Sequence, residues 1–509
     1  MTVGHSVALL ALPEATLECV SQHAVRDAVR YFTPDLVAVP GARNPIAYAT
    51  AREAAPDLPI VHPQLGTGGT RIHHYRSSPD AGVHEASDER PPAETMDFLA
   101  VQSRDVLSDL ARQLTTGKRQ TGSDAGTFLI VPELAVEWDT TTLSTTLPNA
   151  QELVTISAML PEPVTVLVGG QPATYAHEWS LTHADSSVRV PIAGLGAADR
   201  DGSMFAQCTC TTHGSVAAEA VDSDQFGLKA LYGVGEATAD RLRTHGCETT
   251  RDILDLAVSD LVELPGIGRT TAEKIHAHAD VIDSSEPLVL TNKRPVKTRD
   301  DRPPLCLDIE TDGLSPTIIW QIGVYDPATD SHQTFIEKNH PEDPQPVLEA
   351  FVIWLLANHR DRTVLTWNGH RFDYRYIRQF LTQLLPEYLD AWDDLWKYDL
   401  YKWAVRDGNA LLPGRTNKLD HVARAIGYDA SATGLTGAQT AAAYQAFMRN
   451  PADPETEPDW ERHRTYCEDD CRALWYVYKA ITEAPRRDMT DSGAGGADGQ
   501  QAGLTDFHP

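Results

Sequence analysis

Within LCLDIETDGL (Leu305 to Leu314) two acids, Asp308 and Glu310, stand two residues apart in an apolar run. In a strand, residues i and i+2 point to the same face. The pair then sits side by side at the edge of a core. Two carboxylates so placed repel each other unless a cation lies between them. The stretch predicts a strand that carries part of a cation site, and the rest of the chain must supply the remainder.

The pattern that follows is strand-rich. IIWQIGVYD (Ile318 to Asp326) and HQTFIEK (His332 to Lys338) come at hairpin spacing, which predicts antiparallel pairing. A helix fits Val347 to Asn358, a fourth strand TVLTWNG (Thr363 to Gly369), and a further helix begins near Asp373. Three kinds of acid motif then stand in order: DIET with Asp308 and Glu310, NGHRFD with Asp373, and YCEDD with Tyr466 and Asp470. Taken singly, each has a bland reading: Asp308 as a strand-edge surface residue, Asp373 as a helix cap. Glu468 and Asp469 read as solvated neighbours of Asp470.

In that order, the motifs resemble the DEDD superfamily of 3′–5′ exonucleases, whose fold is ribonuclease H-like. The Tyr-x-x-x-Asp form of the last motif (DEDDy type) is similar to the proofreading domain of family B DNA polymerases. The wider resemblance is to the predicted ribonuclease H-like exonuclease family, found alone or fused to other DNA-processing modules. It covers about a third of the chain. The resemblance implies two bound ions, Mg²⁺ or Mn²⁺. Asp308, Glu310 and Asp470 would share the first, and Asp308 with Asp373 would place the second. Tyr466, one helical turn before Asp470, faces the same way, and its hydroxyl would orient the attacking water. Related enzymes use a His five residues before the last Asp. That position is Thr465 here, and His463 is out of register. Asn368 and Phe372 would position the second motif or touch the nucleic-acid end. Asp399 in KYDLYKW and Lys418 in NKLDHVARAIG match accessory positions. The chemistry agrees: two divalent ions about 4 Å apart activate water and stabilise the leaving oxygen, and oxygen ligands favour Mg²⁺ or Mn²⁺.

A second motif precedes the first. LYGVGEATADRLRTHG (Leu231 to Gly246) and LPGIGRTTAEKIHAHAD (Leu264 to Asp280) align on their Gly-x-Gly centres, Gly233/Gly235 and Gly266/Gly268. Each unit reads as helix, tight turn, helix. The glycines permit the turn, and the next helix offers unpaired amides to a phosphate. Ala239 and Ala272 fall where crossing helices need a small side chain. These units resemble tandem helix-hairpin-helix modules, which bind DNA without regard to sequence. Gly233, Gly235, Gly266, Gly268, Arg269 and Thr270 are the nucleic-acid candidates the resemblance implies. Glu236, directly after the first turn, would repel a phosphate, so the second hairpin is the closer match. A purely structural role is the plainer alternative.

Composition bears on the partner. Across 509 residues the net charge is −29, which ordinarily opposes binding to phosphates. Concentrated salt weakens that argument, because long-range fields are screened within a few ångströms. The composition resembles that of halophilic archaea, the alternative being an ordinary acidic cytosolic protein. A grip by main-chain amides suits high salt better than a lysine patch. The seven cysteines form no CxxC pair, so neither a zinc module nor a disulfide framework is expected. Cys467 and Cys471, one helical turn apart, read as small buried residues. No leader peptide and no membrane span is evident, so a cytoplasmic protein is expected.

The region before the hairpins alternates strands and helices, which suggests a parallel sheet with crossovers. Strands are expected at Val7 to Leu12, Asp35 to Gly41, LPIVHP, TFLIVPEL, ELVTISAML and VTVLVGG, with helices over Glu14 to Phe32, Ile46 to Ala55 and Ala93 to Leu114. Polar loops are expected at Ser77 to Glu94 and Thr116 to Gly126. GTGG (Gly66 to Gly69) and VGG (Val168 to Gly170) lack phosphate-loop spacing, and a metal role for His73 and His74 is weakly supported. A scaffold or interaction role is the default.

The expected organisation is therefore α/β throughout, with a small all-α insert. It comprises an N-terminal α/β domain (1–222), a tandem helix-hairpin-helix module (223–282), a polar, basic linker (283–302), a ribonuclease H-like mixed-sheet exonuclease domain (303–484) and a disordered tail (485–509). Linker cations Lys293, Arg294, Lys297, Arg299 and Arg302 could touch nucleic acid or stay solvated. The expected activity is metal-dependent 3′–5′ hydrolysis of DNA, in repair or processing, with DNA favoured over RNA. The alternatives are an RNA-directed or structure-specific nuclease, and a DNA-binding scaffold whose nuclease fold is idle.

Overall fold

A computed structural model describes residues 6–487, apart from 42–44, 64–68, 77–94, 118–125, 140–143, 161–162, 174, 185, 197, 200–201, 296–301, 432 and 455. The chain forms two compact units, Met1–Gly227 and Leu228–Pro509. Among the described residues no helix is long and apolar enough to cross a membrane.

The first unit is a four-layer sandwich. Two 6-stranded sheets face each other across a core that joins Val7, Leu9 and Leu36 of one to Phe98, Phe128 and Leu167 of the other. Helices cover the outer faces, Gln22–Phe32 and Pro45–Ala54 on the first sheet, Leu107–Thr115 and Ala150–Met159 on the second. Both sheets are mixed rather than parallel: Ser6–Ala11 runs parallel to Leu36–Ala38 but antiparallel to Gly202–Thr211.

Three expectations fail here for identifiable reasons. The helix expected over Ala93 to Leu114 is a strand, Thr95–Val101, followed by a helix that starts only at Leu107. Phe98 to Val101 are buried on both faces, one against each packed layer, so the run shows no strand alternation. ELVTISAML, expected as a strand, lies in the helix Ala150–Met159. There Leu153 and Ile156 recur at helical spacing and pack on the sheet, which overrides the β-branched composition. The single helix over Glu14 to Phe32 is two, because Ser21 is extended and caps the second through Ala24 N.

The VGG glycines serve packing. A Cβ on Gly169 would fall 2.0 Å from Pro132 O, and one on Gly170 would fall 2.6 Å from Leu134 O. Most of GTGG and the Ser77 to Glu94 loop lie outside the described residues. His73 and His74 are engaged by His62 and Asp97.

The second unit opens with the hairpins. Helices Glu236–Thr244, Thr250–Leu254, Val258–Val262 and Arg269–Ser284 share a core of Leu231, Leu242, Ile253, Leu261 and Ile275, with Ala239 and Ala272 fully buried at the crossing. The segment after them is no free linker. Leu288–Val289 pairs with Ala410–Leu411, and Val289 also exchanges main-chain hydrogen bonds with Pro485 and Arg487. Lys297, Arg299 and the tail beyond 487 lie outside the described residues.

The remaining residues build a 5-stranded sheet. Its strands are β1 (Leu305–Thr311), β2 (Ile319–Asp326), β3 (Ser331–Ile336), β4 (Val364–Thr366) and β5 (Lys397–Asp399). The order is β3-β2-β1-β4-β5, antiparallel through β1 and parallel beyond it. Helices α1 (Gln345–Asn358) and α2 (Asp373–Leu384) pack on one face, around Phe351, Ile377 and Trp392. Helices α3 (Leu419–Ala425), α4 (Gly437–Arg449) and α5 (Trp460–Glu483) complete the domain. Cys306 of β1, Tyr325 of β2 and Leu474 and Val477 of α5 share a second core. The mixed ribonuclease H-like sheet expected from the strand pattern is the one present.

Candidate active site

The acids come together where β1 meets α5. Asp308 lies opposite Gly323 of β2 and Glu310 opposite Gln321, and the ladder shifts register directly after Glu310. Such a bulge re-aims side chains at the end of a strand. The loop beyond it is fastened: Asp312 accepts from Thr317 N and Ile318 N, and Gln445 Nε2 of α4 donates to Asp312 O. Asp373 is the first residue of α2, which starts two turns after β4 ends. It is placed by the carboxylate of Asp399, at the end of β5, which accepts from Asn368 N at 3.0 Å, His370 N at 3.1 Å and Lys402 N at 3.0 Å. Asn368 itself sits in the left-handed region (φ 67). Phe372 packs edge-on to Tyr376. Neither has a partner that marks it as a substrate contact, and Asn368 Oδ1 is buried without a hydrogen bond.

Electrostatically the cluster is unbalanced. Burial, then the charges of Glu310, Asp470 and Asp373, push Asp308 well above the ordinary carboxylate range. Burial, then Asp470, does the same for Glu310, and burial, then Asp420, for Asp470. Asp373 is raised to about 7, by burial first and then by Asp399 and Cys471. Burial also raises the Tyr466 phenol, whose charged neighbours are Asp470, Glu310, Asp308 and Asp420. Tyr466 hydrogen-bonds Asp470. Among the described residues no basic side chain bridges Asp308, Glu310, Asp373 or Asp470, and Glu310 Oε1 is buried with no hydrogen-bond partner. A donor set of like-charged oxygens, Glu310 and Asp373 buried and Asp308 and Asp470 half-buried, with an orphaned lone pair, fits hard divalent cations.

The neighbours of Asp470 are half-exposed, as expected, and each has a partner of its own. Asp469 accepts from Ser431 N at 3.0 Å and Ser431 Oγ at 3.1 Å, and Glu468 binds Arg472. Both point away from the acid cluster, so Asp470 alone of the three acids joins it. His463 is a core residue, edge-on to Trp320, with its pKa lowered by burial. Lys418 is exposed at the start of α3. Asp420, two residues further on in the first turn of α3, lies close enough to act on Tyr466 and Asp470 instead; no motif pointed to it.

The hairpins place their glycines as expected. Gly233 (φ 71) and Gly266 (φ 83) take the left-handed conformation. Gly235 and Gly268 stand at the first turns of Glu236–Thr244 and Arg269–Ser284 with no side-chain cap, and a Cβ on either would meet nothing. Arg269 is exposed and pairs with Glu273 at 3.0 Å, and Thr270 follows it in the first turn. Glu236 is held by Lys229 at 2.7 Å, which lowers its pKa, so it stays charged in front of the first helix.

Comparison with known proteins agrees with this fold. Residues 305–482 match the RNase_H superfamily, and residues 227–280 match the SAM-like helix-hairpin-helix tandem. The second unit thus carries a ribonuclease H-like domain behind a helix-hairpin-helix module. No curated protein matches the chain. Two solved structures are similar over 29% of this chain and 41% of their own length. One is the zinc-ion-bound E. coli ExoI–ssDNA complex, at 19% identity and TM-score 0.20. The other is a structure of exonuclease I, at 22% identity and TM-score 0.19.

Proposed function

We propose that the protein is a metal-dependent 3′–5′ exonuclease acting on DNA, of the DEDDy type. The observation that carries this reading is the convergence of Asp308, Glu310, Asp373 and Asp470 with no cationic partner among the described residues. Asp308, Glu310 and Asp470 would hold one Mg²⁺ or Mn²⁺ ion, and Asp308 with Asp373 a second. When bound, such a pair activates water and offsets charge on the leaving oxygen. The chain's own groups do the rest. Tyr466 keeps its proton, because its phenol is raised, so it donates to Asp470 and can orient the water but not deprotonate it. Asp399 fixes the amides of Asn368 and His370 and thereby the start of α2, where Asp373 sits. The open helix starts behind Gly235 and Gly268 offer main-chain amides to a phosphate backbone, with Gly233, Gly266, Arg269 and Thr270 shaping the grip. This contact depends little on long-range attraction, in keeping with an acidic protein adapted to concentrated salt and a role in DNA repair or processing in the cytoplasm.

The test is purified protein with Mg²⁺ or Mn²⁺ in molar KCl, on end-labelled single-stranded DNA, branched DNA and RNA. Shortening of DNA from the 3′ end is expected, with Asp308→Asn inert. No cleavage of any polymer, or full activity in Asp308→Asn, refutes the reading. DNA binding without metal-dependent cleavage would make the chain a scaffold, and preference for RNA would reassign its substrate.

A further inference from the structure

We infer that His332, Cys467 and Cys471 form a zinc site adjoining the acid cluster, with Cys467 in reach of both groups, and independent of the nuclease reading. Cys467 and Cys471 lie one turn apart on α5, both fully buried. His332 comes from β3. One donor atom from each of the three lies within 4.8 Å of the others.

The three donors also crowd one stretch of backbone. Gly323 of β2 lies against them, and a Cβ there would fall 2.5 Å from Cys467 Sγ, 2.9 Å from His332 Nε2 and 3.4 Å from Cys471 Sγ, so the glycine is what lets the three donors draw together. Zinc takes sulfur at about 2.3 Å and nitrogen at about 2.0–2.1 Å, and donors within 4.8 Å of one another need close only modestly to share an ion.

The histidine is prepared as a ligand. Its side chain is 2% exposed, and Nε2 has no nitrogen or oxygen partner among the described residues; the group it interacts with is the Cys471 thiol. The other nitrogen, Nδ1, lies 3.1 Å from Thr334 Oγ1 and 3.6 Å from a Glu468 carboxylate oxygen. Those contacts hold the ring so that Nε2 faces the thiols, and a carboxylate behind a ligating histidine raises its basicity.

Charge and softness select the ion. Two thiolates and one Zn²⁺ sum to zero, so the loaded site adds no net charge beside Asp308 and Glu310. Sulfur donors favour zinc over the Mg²⁺ that suits the neighbouring oxygens. The Cys467 thiol, 3.7 Å from Asp308 Oδ2, gives up its proton on binding, as does Cys471. The ion would tie β3 to α5, and α5 is the helix that carries Tyr466 and Asp470.

The test uses the full chain. Wild type incubated with equimolar ZnCl₂ and dialysed against Mg²⁺ buffer is expected to retain one zinc per chain by elemental analysis. Replacement with Co²⁺ should give the intense thiolate-to-cobalt absorption of a tetrahedral site. Cys471→Ser and His332→Gln should lose the zinc while circular dichroism shows an unchanged fold, and Asp308→Asn should keep it. The wild-type cobalt spectrum needs no variant to fold, and a missing thiolate band overturns the inference. So does zinc that persists in both folded variants, or zinc that leaves with Asp308→Asn, which would place it among the acids. Exonuclease assays with Mg²⁺ do not enter either outcome, so failure here leaves the nuclease reading to its own test.

Discussion

Stripping divalent cations should make this protein less stable as pH rises, and Asp373 is the member of the acid cluster whose share can be sized. Burial, with the charges of Asp399 and Cys471, raises this carboxyl from 3.8 to about 7. The folded state then holds a proton that the unfolded state has released. Between about pH 4 and pH 7 the native form binds more protons, so stability falls with rising pH. Three units at 1.36 kcal/mol each come to about 4 kcal/mol, an upper value for one group in a coupled cluster. For a unit of this size that is a melting shift of roughly 10 °C. The assay is thermal unfolding of wild type and Asp373→Asn in EDTA and molar KCl, from pH 4 to pH 8. The two should melt nearly together at pH 4. At pH 8 the wild type should melt roughly 10 °C below the variant, and Mg²⁺ should raise the wild type more than the variant. Equal melting at pH 8, or a wild type that gains stability with pH in EDTA, would refute the electrostatic account of the cluster.

Other substitutions separate binding, positioning and chemistry. Asp308→Asn should abolish cleavage while leaving the Kd for a DNA end unchanged in Ca²⁺, measured by fluorescence anisotropy. Tyr466→Phe removes the hydroxyl that bonds Asp470, and single-turnover rates should fall by about 10²-fold or more with little change in binding. Asp399→Ala leaves three amides without their acceptor. At about 1–3 kcal/mol for a buried orphan, it should lower both melting temperature and kcat, whereas Asp399→Asn should recover part of each. Gly268→Glu fills open space, so the fold should persist, but a carboxylate before the Arg269–Ser284 helix should weaken DNA binding by roughly tenfold.

What the sequence made legible follows from how local each signal is. The ribonuclease H-like strands were readable because β1 and β2 are mostly apolar runs at hairpin spacing, and the acids lie in short motifs in the expected order. The choice of Asp470 over Glu468 and Asp469 rested on register, and the structure supplies the reason, since the other two acids are taken by Arg472 and Ser431. Asp420 went unseen because nothing adjacent in the chain says that α3 faces α5. The same holds for His332, which reaches Cys467 and Cys471 only through the sheet order. In the N-terminal unit, Thr95–Val101 misleads because a strand buried on both faces has no alternation. Ala150–Met159 misleads because its β-branched residues are spaced for a helix. Composition there described residues, while the packing of two sheets decided their conformation.

The small ladder at Val289 has a consequence for how this chain can be cut. The segment entering the ribonuclease H-like domain meets the segment leaving it, through Val289 N to Pro485 O at 3.0 Å and Arg487 N to Val289 O at 2.8 Å. The domain's two ends are thus one clasp. A recombinant fragment that starts at β1 discards one half of that clasp and leaves Ala410–Leu411 and Pro485 with unmatched main-chain groups. A fragment from about 286 through 487 keeps the ring closed. Because the ends already touch, the same unit is also suited to circular permutation, with new termini opened in a surface loop.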